Sequence, residues 1–134
     1  MKTLTKIDHI GYAVNDINVT ADLYVKNGWT LSEIYEEQVQ NAKIAFLTKE
    51  GFPTIELVSP LGEKSPVDNI LKNNGVSLYH ICYEVDDIME SVESLYEQGF
   101  KPLFMPVRSV AMENREICYL YNINIGTIEL VSKQ

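Results

Sequence analysis

One stretch of this chain occurs twice, and any fold it adopts must accommodate both copies. His9-Ile10-Gly11-Tyr12-Ala13-Val14-Asn15-Asp16-Ile17 is answered by His80-Ile81-Cys82-Tyr83-Glu84-Val85-Asp86-Asp87-Ile88, at an offset of 71 residues (80 minus 9). Thr54-Ile55-Glu56-Leu57-Val58-Ser59 then returns unchanged as Thr127-Ile128-Glu129-Leu130-Val131-Ser132, at an offset of 73 (127 minus 54). Within the copies, His and Glu lie 47 (56 minus 9) and 49 (129 minus 80) residues apart, so one supersecondary module is used twice. The two histidines of the protein occupy equivalent places in the two modules.

Length limits what two modules can become. A chain of 134 residues, 46% hydrophobic, is the size of a single domain with one sizeable core. We therefore expect one domain over 1–134, with modules at 1–60 and 76–134 joined by a linker helix at 61–75. No apolar run is long enough to span a bilayer, and the N-terminal Met1-Lys2-Thr3-Leu4-Thr5-Lys6 has no apolar core of a signal peptide, which points to a cytoplasmic protein that binds no membrane. Cys82 and Cys118 are too few for a disulfide framework and sit in strand-like runs, as reduced thiols do. A net charge of −8 without any Lys/Arg cluster argues against nucleic acid as a partner.

Along the chain, Ile7 to Val14 alternates as a strand, with Ile10, Tyr12 and Val14 on one face and His9, Gly11 and Ala13 on the other. Asp16 is placed to cap a helix carrying Ile17, Ala21, Leu23, Tyr24 and Val25, which ends at Asn27-Gly28. Trp29 to Val39, Lys43 to Thr48 and Thr54 to Ser59 read as three further strands. Pro60 to Pro66 is the one turn-rich break; Ser65 and Pro66 open a short helix that Asn73-Asn74-Gly75 closes. The second module repeats the first. Val76 to Val85 is a strand, Asp86 or Asp87 caps a helix with Ile88, Met89, Val92, Leu95 and Tyr96 inward, and strands follow at about Pro102 to Val107, Glu116 to Tyr121 and Gly126 to Ser132. Pro102 and Pro106 make the first of these an edge strand or a broken one.

Alternation places Glu56 opposite Ile55 and Leu57, and Glu129 opposite Ile128 and Leu130. If a helix covers the apolar face of each module, the His and Glu of that module share the other face. Pairing the modules about a pseudo-two-fold axis can then bring His9, Glu56, His80 and Glu129 together. A histidine on a strand often serves only as a hydrogen-bonded structural residue, but interior carboxylates without partners are costly, and a cation offsets that cost. Two imidazoles and two carboxylates suit a borderline divalent ion, Ni²⁺, Co²⁺, Zn²⁺, Mn²⁺ or Fe²⁺. Cys82, on the strand face of His80 but one residue pair further along, is too distant for the same ion and is assigned to the wall of the site.

At these residues the chain resembles the vicinal oxygen chelate superfamily, in particular its methylmalonyl-CoA epimerase and glyoxalase I branches. The resemblance rests on Asp8 to Val14, on Ile55-Glu56-Leu57-Val58-Ser59-Pro60-Leu61-Gly62-Glu63-Lys64-Ser65-Pro66, on Tyr79 to Ile88 and on Gly126 to Leu130, and it covers essentially the whole chain. It implies an α+β fold of two pseudo-symmetric βαβββ modules forming a curved mixed sheet around one divalent metal ion. His9, Glu56, His80 and Glu129 match the family's ligand positions. The implied chemistry is that of a metal-dependent isomerase or lyase. A carboxylate, Glu129 first and Glu56 from the other side, removes a proton beside a thioester or hemithioacetal carbonyl.

An epimerase of methylmalonyl-CoA type is the leading expectation. The glyoxalase I reaction (lactoylglutathione lyase), turning a hemithioacetal into a thioester, is the first alternative, and a non-catalytic small-molecule-binding relative is the second. Some epimerases of this family carry an additional acid on the strand equivalent to Lys43–Leu47, where this chain offers none. Pro60-Leu61-Gly62 stands where a glutathione enzyme would need polar groups. Arg108 and Arg115, in the loop where the family places substrate-facing residues, are either anion-binding groups or solvated surface arginines. The superfamily's habit of pairing subunits implies a homodimer.

Overall fold

A computed structural model describes residues 2–134; Met1, with which the expected single-domain range begins, lies outside them. The described residues divide into two compact units, one of residues 9–79 and the other of residues 80–134 together with 2–8. The fold is α+β, and the order strand, helix, strands occurs in both halves, as the repeat requires.

The first half contains β1 (Ile7–Ala13), α1 (Ile17–Val25), β2 (Thr30–Leu31), β3 (Tyr35–Glu37), β4 (Ala42–Thr48) and β5 (Ile55–Pro60). β1 pairs parallel with β5, while β4 pairs antiparallel with β5 on one side and with β2 and β3 on the other. Asp16 caps α1 by accepting from Asn18 N–H and Val19 N–H at 2.9 and 3.3 Å, which satisfies donors that the first helical turn leaves open. The turn out of α1 needs a left-handed residue, and Gly28 supplies it at φ 93°.

Ile17 and Ala21 are buried against Val14, Ala45, Leu47 and Leu57, and Tyr24, Trp29 and Leu31 close over them. The buried stripe of α1 is narrow. Leu23 and Val25 are 63% and 48% exposed, because at 100° per residue only positions 17, 21 and 24 share one narrow face.

Trp29 to Val39 does not form one strand. Leu31 lies opposite Leu47 but Tyr35 lies opposite Ile44, so one extra residue stands on this side of the ladder. Ser32 sits at the break, its N–H donating to the Phe46 carbonyl at 2.9 Å and its hydroxyl accepting from Phe46 N–H at 2.8 Å. This is a β-bulge, and it exchanges the faces taken by odd and even residues beyond it.

α2 (Pro66–Asn74) follows as expected, with Ser65 accepting from Val67 N–H and Pro66 opening the helix. The second half then contains β6 (Ser77–Val85), α3 (Ile88–Glu97), β7 (Lys101–Pro102), β8 (Val107–Ser109), a single 3₁₀ turn at Val110–Met112, β9 (Arg115–Asn122) and β10 (Gly126–Ser132). β6 pairs parallel with β10, which pairs antiparallel with β9, and both β7 and β8 lie against β9. Asp87, not Asp86, caps α3, accepting from Glu90 N–H at 3.0 Å.

Ile88, Val92 and Leu95 bury against Val85, Phe100, Cys118, Leu120, Ile128 and Leu130, at the same helical spacing as 17, 21 and 24. Met89 and Tyr96, expected inward, are 41% and 63% exposed for the same angular reason. The strand expected from Pro102 to Val107 is broken. β7 ends at Pro102, β8 begins at Val107, and residues 103–106 leave the ladder.

Candidate active site

Each half builds the same pair of side chains from the same register. In the first, Gly11 of β1 lies beside Glu56 of β5, and His9 stands two residues before Gly11 on the same face. In the second, Cys82 of β6 lies beside Glu129 of β10, and His80 stands two residues before Cys82. The diagonal between such positions on neighbouring strands is about 7–8 Å at the backbone, which a Glu and a His can bridge. His9 Nε2 lies 3.3 Å from Glu56 Oε1, and His80 Nε2 lies 3.1 Å from Glu129 Oε1.

All four side chains are buried, between 0% and 4% exposed. In β1 the His9 face proves the more enclosed one, since His9, Gly11 and Ala13 are buried while Ile10 and Tyr12 are only partly so. The polar row is therefore interior to the protein, and it faces no open solvent.

An aromatic ring completes each pair from the third strand. Phe46 of β4 lies directly across from Glu56 and packs edge-on to His9, with ring centroids 5.8 Å apart at 72°. Tyr119 of β9 lies across from Glu129 and packs edge-on to His80 at 5.3 Å and 85°. These edge contacts fix the plane of each imidazole while leaving its Nε2 toward the carboxylate.

The donor chemistry fits a divalent ion. Two ligands that each lie 2.0–2.2 Å from one ion in neighbouring coordination positions are about 3 Å from each other, which matches the N···O separation within each pair. Imidazole with carboxylate is the ligand mixture that borderline ions prefer over soft or purely hard ones. A divalent charge would also compensate buried carboxylates that an apolar interior opposes.

Cys82 is fully buried beside Glu129 in the ladder, in the wall of the site, and neither Cys82 nor Cys118 is in a disulfide. Cys118 donates to the Phe104 carbonyl at 3.1 Å; burial, with a smaller contribution from the charge of Glu129, pushes its thiol up to about 11. Neither thiol has the exposure of a nucleophile, and that of Cys118 lacks the acidity as well.

One buried carboxylate was missed by sequence reading. Glu37 of β3 is 1% exposed and lies across from Ala42 in the ladder, on the face of β4 that also carries Ile44 and Phe46. It shares that sheet face with Glu56, about 13 Å further along the strand. The signal that could have found it is the bulge at Ser32, without which Glu36 would take this face.

The two arginines separate clearly. Arg115 is committed to structure: Nη1 lies 3.6 Å from Asp8 and 3.5 Å from Glu84, and Nε donates to the Met112 carbonyl at 3.1 Å. Arg108 is exposed and donates to the Asn114 carbonyl at 2.8 Å, within its own loop.

The geometry agrees with what the chain is similar to. The curated mitochondrial methylmalonyl-CoA epimerase of Dictyostelium discoideum is 31% identical over 133 residues, which span 96% of this chain and 78% of that protein. The ethylmalonyl-CoA/methylmalonyl-CoA epimerase of Cereibacter sphaeroides is 30% identical over 118 residues, 87% of each chain. The crystal structure of methylmalonyl-CoA epimerase from Mycobacterium tuberculosis superposes with a TM-score of 0.87 at 26% identity, over 100% of this chain and 92% of that one. Residues 8–119 match the family model described as Glyoxalase/Bleomycin resistance protein/Dioxygenase superfamily. With its duplicated βαβββ module, its repeated His–Glu pair and methylmalonyl-CoA epimerases among its relatives, the chain belongs to that superfamily.

Proposed function

We propose that the two His–Glu pairs, His9 with Glu56 and His80 with Glu129, hold one divalent ion, and that the protein is an epimerase of 2-substituted malonyl-CoA thioesters, methylmalonyl-CoA first. The observation that carries this reading is the N···O separation within each pair, 3.3 and 3.1 Å, produced twice by one register in two halves of a single chain. Each of the four residues offers one donor atom, and the relatives named above act on this class of substrate by their names.

A proton on the carbon between a thioester and a carboxylate is too weakly acidic to leave in water at useful rates. A bound divalent ion supplies Lewis-acid stabilisation of the negative charge that develops on the carbonyl oxygen, worth several kcal/mol. The residues of the chain do the rest. His9 and His80, held by Phe46 and Tyr119, fix the frame against which the substrate carbonyl is oriented. Glu129 takes the proton from C2, and Glu56, approaching from the other side, delivers one to the opposite face, which inverts the centre. Burial of both carboxylates keeps bulk water from competing for the proton.

A homodimer and a cytoplasmic location complete the reading. The first follows from the pairing of subunits common in the superfamily, and the second is supported by the lack of a disulfide among the described residues and by the fact that no helix among them is long and apolar enough to cross a membrane. The glyoxalase I reaction is the second reading, favoured by the presence of carboxylates in both His–Glu pairs. Incubation in D₂O separates the two. Deuterium entering C2 of methylmalonyl-CoA supports the epimerase, turnover of a methylglyoxal hemithioacetal supports the lyase, and silence in both removes both.

A further inference from the structure

Residues of the first half alone enclose a cavity of about 320 Å³. Strand parity fixes the side of the sheet on which it opens. Ala45, Leu47 and Leu57 face α1 and pack under Ile17 and Ala21. Alternation puts Lys43 of β4 and Ser59 of β5 on that same face, directly across from each other, with Glu36 of β3 across from Lys43. Phe46 and Glu56 take the opposite face, so the sheet itself stands between this cavity and the His9–Glu56 pair. Glu36, Lys43 and Ser59 thus run as acid, amine and hydroxyl across three strands, and all three line the cavity.

Two groups of this row have no partner. Ser59 is 4% exposed, yet its hydroxyl makes no hydrogen bond among the described residues. Lys43 makes no ion pair among them either, even with Glu36 across the ladder. Buried polar groups are nearly always satisfied, so an idle hydroxyl at the floor of a cavity asks for a ligand. The second half shows that the module can use this hydroxyl internally. Ser132 is the repeat equivalent of Ser59, and its Oγ accepts from Glu116 N–H at 3.0 Å.

The charges on the cavity select the kind of ligand. The start of α1 is already capped, since Asp16 accepts from Asn18 N–H and Val19 N–H, and so it offers no anion site. Asp16 and Glu36 set two negative charges against the one positive charge of Lys43, in a chain of net charge −8, which opposes a lone anion. A lone cation would meet Lys43. A zwitterion satisfies the whole row: its carboxylate accepts from the Ser59 hydroxyl and the Lys43 ammonium, and its own ammonium donates to Glu36. Ile34 and Pro60 supply apolar surface on the same cavity, and its volume is at the small end of the range of about 300–1,000 Å³ usual for ligand sites.

We infer that this cavity is a second ligand site, separate from the His–Glu pairs, which takes a small aliphatic α-amino acid through Glu36, Lys43 and Ser59. The inference is independent of the epimerase reading.

Proton–nitrogen correlation NMR of the full chain, titrated with L-valine, is the test. Isovalerate, which lacks the ammonium, and isobutylamine, which lacks the carboxylate, are the control ligands. L-valine should give saturable shifts centred on the amides of Ile17, Glu36, Lys43 and Ser59, and each control should bind about tenfold more weakly or worse. Lys43→Met should weaken L-valine binding about tenfold, and Ser59→Ala about three- to tenfold, the worth of one hydrogen bond. Lys43 is exposed, so its variant keeps the fold even where Ser59→Ala does not. The inference is overturned by a lack of saturable shifts with L-valine, by shifts centred elsewhere, or by unchanged binding in Lys43→Met. Equal binding of isovalerate would make this a plain anion site, and equal binding of isobutylamine a plain acidic rim; either result overturns it too. The readout needs neither metal nor thioester, so its failure and that of the epimerase are told apart.

Discussion

Replacing Glu129 by glutamine removes a proton acceptor and one negative charge while keeping the shape of the side chain. Glu129 is 1% exposed, with Oε1 3.1 Å from His80 Nε2, Cys82 beside it on β6 and Tyr119 across from it on β9. The amide has the same shape, keeps an oxygen for the ion and fits the same ladder. A positioned general base contributes about 10²–10⁴-fold to a proton transfer, which is about 2.7–5.4 kcal/mol of barrier at 1.36 kcal/mol per factor of ten. We therefore expect kcat for epimerisation to fall by that factor, with KM changed little and metal content retained.

Proton NMR in D₂O, following loss of the C2 signal of each epimer of methylmalonyl-CoA, is the assay, with metal analysis of the same preparations. Glu56→Gln serves as the comparison. It should stop inversion yet leave exchange in the epimer that Glu129 serves. The reasoning is refuted if Glu129→Gln keeps kcat within about threefold of the wild type, a margin far below what a general base supplies. Loss of activity together with loss of the ion would reduce Glu129 to a ligand.

Other consequences follow from packing and partners. Leu95→Ala removes a fully buried side chain from the α3 face and should cost about 2–5 kcal/mol in urea unfolding; a loss below about 1 kcal/mol would mean that α3 is not packed as described. Arg115→Ala removes the cation that Asp8 and Glu84 share, leaving Glu84 only its pair with Lys6, and should destabilise by about 1–3 kcal/mol, whereas Arg108→Ala should stay within about 0.5 kcal/mol; equal losses would contradict the division of labour. Both thiols are fully buried, and that of Cys118 is held high, so iodoacetamide at pH 8 should label neither until urea unfolds the protein; rapid native labelling would show an open second half.

The repeat made the architecture readable, because a motif that returns in register must build the same strands and helix twice. The His–Glu pairs were readable for the same reason. Strand alternation places Glu56 and Glu129 on the face opposite their apolar neighbours, and parallel pairing of β1 with β5 and of β6 with β10 then brings each Glu to its own His. What stayed hidden depends on details one residue wide. The bulge at Ser32 shifts parity by one and buries Glu37 while exposing Glu36, and nothing in a run of glutamates announces which of them turns inward.

Met89 and Tyr96 are expected inward because they are apolar, but they lie off the one stripe per helix that the sheet covers, as Leu23 and Val25 do in α1. Arg115 was a candidate anion site until its acidic partners, distant in sequence at Asp8 and Glu84, were placed beside it. Contacts of that separation are set by the fold, and a local pattern does not contain them.

The most direct test of the account is X-ray absorption spectroscopy on protein loaded with Ni²⁺ or Co²⁺, together with metal stoichiometry for the wild type and for His9→Ala and His80→Ala. We predict about one ion per chain, held by two imidazoles and by oxygen donors at distances ordinary for such ions, with one imidazole lost in each variant. An ion whose imidazole count is the same in wild type and variants, or a wild type that takes up no ion at all, would contradict it.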